Sequence, residues 1–207
     1  MNKRSDKPAA ARPGTVRIIG GQWRGTRLLV PDRPGLRPTS DRVRETLFNW
    51  LMPALPGARV LDLFAGSGAL GLEAASRGAA AVQLVESDPP LASALSDAVQ
   101  RLQAGDRVAV QRADALAFLR SHSEARFDIA FVDPPFAAGL WPAVLELLPA
   151  CMAATAWLYL ESPTDITPHL PPEWALHREN HTRDVRYALY RRATIEQSLD
   201  RGNASTI

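Results

Sequence analysis

Cysteine is nearly missing from this chain of 207 residues, where Cys151 stands alone. No intrachain disulfide can form, which excludes a small secreted scaffold held by bridges. Lysine is scarce as well: Lys3 and Lys7 stand against 22 arginines. An arginine-dominated basic set suits bidentate phosphate and base contacts, although a GC-rich coding bias produces the same ratio. Long apolar runs are also missing. The longest stretch without a charge runs from Leu147 to Leu160, short of the ~20 residues that span a bilayer as a helix. The N-terminal MNKRSDKPAAARPGTVR is basic with no apolar stretch behind it, so it shows no signal-peptide pattern. A cytoplasmic protein with one ordinary domain and room for a real core is the expectation.

The net charge of +2 excludes a polycationic tail protein. Its distribution says more than its total. Residues 1–60 hold 12 basic and 4 acidic residues, a surplus of +8, and residues 61–207 carry the compensating −6. That asymmetry fits an arm facing a polyanion on a more acidic body, and it equally fits a solvated leader.

Residues 1–14 are rich in Lys, Arg, Pro and Ala without periodicity and read as a disordered basic leader. Residues 15–56 read as an extension. In it, Val16–Ile19 and Thr26–Val30 flank Gly20-Gly21 as a β-hairpin whose face carries Arg17, Trp23, Arg24 and Arg27. A Pro/Gly loop containing Arg37 follows, then a helix capped within Thr39-Ser40-Asp41, with Val43, Leu47, Trp50 and Leu51 on one face. From 57 to 192, short apolar strands alternate with helices: strands at Val60–Phe64, Ala81–Val85, Val108–Gln111, Ile129–Val132 and Ala156–Leu160. A closing antiparallel hairpin follows at Ala175–Arg178 and Val185–Tyr190, and 193–207 read as a flexible tail. Repeated βαβ units predict a mostly parallel sheet with helices on both faces. Chemistry is then expected beyond the carboxyl ends of the strands.

At the first such end stands Asp62-Leu63-Phe64-Ala65-Gly66-Ser67-Gly68-Ala69-Leu70-Gly71. Gly66, Gly68 and Gly71 satisfy G-x-G-x-x-G, and Glu86 closes the next strand where a ribose-binding acid belongs. A dinucleotide dehydrogenase is one reading; a helix that needs small residues to approach a sheet is another. Asp62 favours S-adenosylmethionine, because a carboxylate there attracts an ammonium group and repels a pyrophosphate. Asp114, after the third strand, is placed either for an adenine amine or as a helix N-cap.

The fourth strand runs into Asp133-Pro134-Pro135-Phe136. Alone, D-P-P is a strand terminator; here it ends a strand near the glycine loop and precedes an aromatic residue. This is the pattern of enzymes that methylate exocyclic amines of nucleobases. Such an amine is a poor nucleophile, its lone pair delocalised into the ring. The Asp133 carboxylate and the Pro134 carbonyl can orient it, the prolines stiffen that acceptor pair, and Phe136 offers a stacking platform. No strong base is needed, so the lack of a catalytic His or Cys is consistent. His177 and His181 are four apart but lack the Glu of H-E-x-x-H, so no metal site is expected. Cys151 reads as a core residue.

Four long segments occur in order: RIIGGQWRG at 17–25, RPTSDRVRETLFNWL at 37–51, DLFAGSGALGLEA at 62–74 and VDPPF at 132–136. Together they resemble the bacterial small-subunit (16S) ribosomal RNA guanine-N2 methyltransferases, the RsmD family, from about residue 15 to 192. The resemblance implies a Rossmann-like class I methyltransferase fold with a seven-stranded sheet. It implies S-adenosylmethionine as donor, held by Asp62, Phe64, Gly66, Ser67, Gly68, Glu86 and Asp114, with Thr39 or Arg42 near its carboxylate, Arg42 fitting equally as a structural ion-pair partner. The acceptor it implies is a loop guanine of 16S rRNA (position 966 in the usual bacterial numbering), within the assembled 30S subunit. Asp133, Pro134, Pro135 and Phe136 would then be catalytic, and Arg17, Trp23, Arg24, Arg27 and Arg37 would face RNA. A monomer with no membrane partner and no metal is expected. Base identity rests on the resemblance alone, so methylation of another RNA or DNA base stays open, as does a non-catalytic RNA-binding module.

Overall fold

Seven strands of the computed structural model form one sheet, and the structure describes residues 14–31 and 39–192. Expectations placed on the leader before residue 14, on Arg37 and on the tail from 193 lie outside the described residues. Ahead of the sheet, β1 (Gly14–Arg17) and β2 (Arg27–Val30) pair antiparallel as the expected hairpin. Helix α1 (Asp41–Leu51) follows, its first turn capped by the Ser40 hydroxyl accepting from Val43 N–H. The alternating part comprises β3 (Arg59–Asp62), α2 (Ala69–Ser76), β4 (Ala81–Glu86), α3 (Pro89–Arg101), β5 (Val108–Arg112), α4 (Ala115–Ser121), β6 (Phe127–Val132) and α5 (Trp141–Cys151). It ends with β7 (Met152–Pro163), β8 (Trp174–His181) and β9 (Val185–Arg192). Strands β7 and β8 are longer than their apolar runs imply; β8 runs on through exposed residues, and β7 includes the buried polar Glu161 and Ser162.

The sheet order is β5-β4-β3-β6-β7-β9-β8, with β3 to β7 parallel and β9 antiparallel to both β7 and β8. From β3 the chain steps outward to β5, then returns to place β6 on the other side of β3. This reversal opens a crevice at the carboxyl ends of β3, β4 and β6, where open α/β sheets bind ligands. Alternate residues serve opposite faces. Val60, Leu84, Ile129, Phe131 and Tyr159 pack with α1, α2 and α3; Leu61, Val85, Ala130, Val132 and Leu158 pack with α4 and α5. Cys151 lies fully buried in the second group.

The extension shares the first of these cores, since Ile18, Trp23, Leu28, Leu47 and Phe48 belong to the same cluster as Val60 and Phe131. Its turn is bolted to α2. Gly21 has φ +73°, and a Cβ there would sit 1.9 Å from the Ser76 carbonyl oxygen, so only glycine permits this approach. Gln22 N–H donates to that same oxygen, and Trp23 N–H donates to the Ser76 hydroxyl at 2.9 Å. Glu73, fully buried on α2, accepts from Ile19 N–H (2.6 Å), Gly20 N–H (2.7 Å) and the Arg77 guanidinium (2.6 Å). Buried Arg44 of α1 lies 3.7 Å from the same carboxylate and also pairs with Asp41.

Candidate active site

Strand register sets out the site. Asp62 pairs with Leu84 on β4 and with Phe131 on β6, and Phe131 pairs with Tyr159 on β7. Two residues further along their strands come Glu86, Asp133 and Glu161. Because side chains alternate along a strand, these three share the sheet face of Asp62 at neighbouring carboxyl ends. Beneath them, Phe48, Phe131 and Tyr159 form an edge-to-face aromatic series with centroids 6.0 and 6.2 Å apart. The carboxylates thus stand on an apolar floor.

That floor explains their electrostatics. Burial pushes the Asp62 carboxyl up to about 7; the Gly71 N–H bond opposes this and the Glu86 charge adds to it. Asp133 is held well above the usual carboxylate range by burial, then by the charges of Glu161 and Asp62. Glu161 is raised by burial, partly offset by two hydroxyl donors. Those donors are Thr39 and Tyr159, each 2.8 Å from Glu161 Oε1. Desolvation disfavours each charged form, and a cationic ligand would reverse that.

The glycine loop closes the crevice from the β3 side. Asp62 Oδ2 accepts from Gly71 N–H at 2.9 Å, so this carboxylate fixes the start of α2. A Cβ on Gly71 would lie 2.2 Å from Leu84 Cδ2, which is why α2 can lie so close to β4. Gly66 and Gly68 take φ of +52° and +75°, and Ser67 between them is almost buried. Glu86 accepts from Gly66 N–H and Asp88 N–H, both at 2.8 Å, one to each oxygen. Phe64 is half-buried against the α4/α5 core. Asp114 is the N-cap of α4, accepting from Ala117 N–H, with its side chain exposed.

Beyond β6, Asp133 is half-buried, Pro134 buried and Pro135 exposed. Phe136 begins a short 3₁₀ turn and is 37% exposed, its ring 5.8 Å from that of Trp141. The Trp141 indole in turn donates to the Glu161 carbonyl at 3.2 Å.

One expectation changes. Trp23 is no RNA-facing aromatic: it is 8% exposed, joined to the core and covered by Arg107 at 5.2 Å. Thr39 gives its hydroxyl to Glu161. Arg42 is exposed on α1, and the buried ion-pairing arginine of that helix is Arg44. Arg17, Arg24 and Arg27 remain on the surface, with Arg17 paired to Asp41 at 2.7 Å. Sequence reasoning missed Glu161. Its signal was a single acid directly after the apolar run Trp157–Leu160, in phase with Trp157 and Tyr159.

The described surface also holds a hollow of about 340 Å³ at the opposite, amino ends of β3 to β6, lined by Arg59, Gln83, Arg107 and His122 among others. Among the described residues no group of three or more His, Cys, Asp or Glu is arranged to hold a metal.

The chain matches the family model described as "Conserved hypothetical protein 95" over residues 16–191. It is 48% identical over 195 residues to "Ribosomal RNA small subunit methyltransferase D" of Escherichia coli, covering 93% of this chain and 98% of that protein. The Haemophilus influenzae protein of the same description is 42% identical over 183 residues, covering 86% and 94%. The solved structure of yhhF from Escherichia coli superposes with a TM-score of 0.78 at 48% identity, covering 87% of this chain and 99% of that one. These relatives are matched over nearly their whole length. The chain belongs to the family of the ribosomal RNA small subunit methyltransferases D.

Proposed function

We propose that this protein transfers a methyl group from S-adenosylmethionine to the exocyclic N2 amine of one guanine in 16S ribosomal RNA, within the small ribosomal subunit. The observation that carries the reading is the pairing of Asp62 with Phe131. It brings the glycine loop and the D-P-P-F turn out of neighbouring strands at the same end. The residue chemistry suits a cationic donor, because Asp62, Glu86, Asp133 and Glu161 surround the crevice with carboxylates. A dinucleotide suits it poorly: its pyrophosphate would meet these acids, and the Gly71 N–H of α2 is already bonded to Asp62.

When bound, the donor supplies an electrophilic methyl on a positively charged sulfur. The loop at Gly66–Gly68 and the Glu86 carboxylate would hold its nucleoside part, and Asp114 would border the adenine. Asp133 and the Pro134 carbonyl accept hydrogen bonds from the target amine and turn its lone pair toward the methyl carbon. Phe136 stacks on the splayed-out base. Holding nitrogen and carbon about 3–3.5 Å apart in line supplies much of the rate. As the C–N bond forms the C–S bond would break and the donor would leave as a neutral thioether. The amine becomes acidic only then, so its proton passes to solvent water without a strong base. Exposed Arg17, Arg24 and Arg27, with Arg37, meet RNA phosphates on the arm. On this reading the enzyme works in the cytoplasm as a monomer; no described helix is long and apolar enough to cross a membrane.

The test uses small subunits from a strain lacking this gene, incubated with labelled donor and mapped by mass spectrometry. Label on the N2 of one guanine is expected. Label on duplex DNA or on another base overturns the substrate. Calorimetry that detects NAD binding and no S-adenosylmethionine binding overturns the donor.

A further inference from the structure

Glu161 is a buried carboxylate, 5% exposed, that neither the docking of the arm nor the handling of the amine requires. Its neighbourhood is nonetheless tightly built. Leu160 pairs with Val132, so Glu161 and Asp133 are the next residues along adjacent parallel strands, which lie about 4.8 Å apart. Oε1 is fixed by Thr39 and Tyr159, residues from two different parts of the chain. Oε2 accepts no hydrogen bond from any described residue. Trp141 ties the Glu161 backbone to the ring that backs the Phe136 platform. Asp133 and Glu161 therefore present neighbouring carboxylates on one sheet face, and a base with its amine at Asp133 can turn the adjacent ring nitrogen toward Glu161.

The nucleobases differ at that nitrogen. Guanine offers N1–H beside its N2 amine, two donors in a row. Adenine and cytosine each present a bare ring nitrogen, an acceptor, beside theirs. Two adjacent carboxylates match the first pattern and repel the second. We propose that Glu161 is the base-reading residue of this site, accepting the N1–H of the target guanine while Asp133 accepts from the N2 amine. This inference rests on the methyl-transfer reading given above and supplies a physical basis for its choice of base.

The test replaces the target guanine with 2,6-diaminopurine in reconstituted small subunits. This analogue keeps the N2 amine and carries a bare N1. The full-length wild-type protein is expected to methylate it at least ~100-fold less efficiently than guanine, as sites built around a hydrogen bond reject analogues lacking it. Glu161→Gln still accepts from Thr39 and Tyr159 and can donate to a bare N1. Its guanine-to-diaminopurine ratio of kcat/KM, measured at saturating donor, is expected to fall to within about tenfold. Glu161→Asp, whose carboxylate is withdrawn by one methylene, should lose rate on guanine without gaining any on diaminopurine. Equal wild-type rates on the two bases overturn the inference alone, and so does an unchanged ratio in the Gln variant at saturating donor. No label on either base from the wild type overturns the methyl-transfer reading, and the inference with it.

Discussion

Two buried glutamates on the same side of the sheet have opposite surroundings. Glu73, at the joint between the arm and α2, is ringed by two backbone N–H groups and the guanidinium of Arg77, with Arg44 nearby. Among the described residues, Glu161 in the crevice has two neutral hydroxyls and another carboxylate for company. A carboxylate saturated by cationic and backbone donors is complete without a ligand. One left beside a like charge gains when a cation or an N–H donor arrives. The joint is thus built for stability and the crevice for binding.

The sharpest test of that contrast makes one chemical change at both places. Glu73→Gln leaves Arg44 and Arg77 short of their countercharge and should cost ~3–5 kcal/mol in denaturant unfolding. Glu161→Gln removes a group strained by ionisation, and at pH 8 the ligand-free melting temperature should hold or rise. Equal losses at the two sites would break the distinction. Next in size, Asp133→Ala should lower methyl transfer about 10²–10³-fold or more, with donor binding by calorimetry and folding largely intact. A loss of folding would instead move Asp133 into the structural class of Glu73.

The smallest effect is in pH. Asp62 binds its proton more tightly folded than unfolded, so its contribution to stability is complete below the ordinary carboxylate range near pH 4. It is lost as pH rises through about 7. Asp133 and Glu161, raised likewise, act in the same direction. Between pH 6 and 8 the Asp62 share amounts to about 1.4 kcal/mol. Ligand-free stability should fall over that interval, and Asp62→Asn should flatten the slope. Donor affinity should run the other way and strengthen as pH rises, since a cation favours the ionised carboxylates. A wild-type stability curve that parallels Asp62→Asn would remove Asp62 from the set.

Local patterns carried much of this. The alternation of apolar strands and amphipathic helices gave the layers, and the clustered glycines after β3 marked the bend into α2. Prolines and an aromatic after β6 marked the acceptor turn. The arm misled. Arg17, Trp23, Arg24 and Arg27 share one glycine-flanked segment, but Trp23 turns inward because Ser76, 53 residues away, captures its backbone. Glu73 was equally silent, a lone acid in α2 whose backbone N–H partners lie 53 and 54 residues upstream.

By itself, the sequence determined which segments become strands, which faces are apolar and where the chain must bend, because those follow from side-chain period and from Gly and Pro. It also held the family motifs whole. Only the tertiary structure decided which strand lies beside which. Sheet neighbours are chosen by long-range pairing, so Thr39 and Glu161, 122 residues apart, meet at one carboxylate. The same pairing sets Glu161 against Asp133. No local period encodes that juxtaposition, and the reading of the base depends on it.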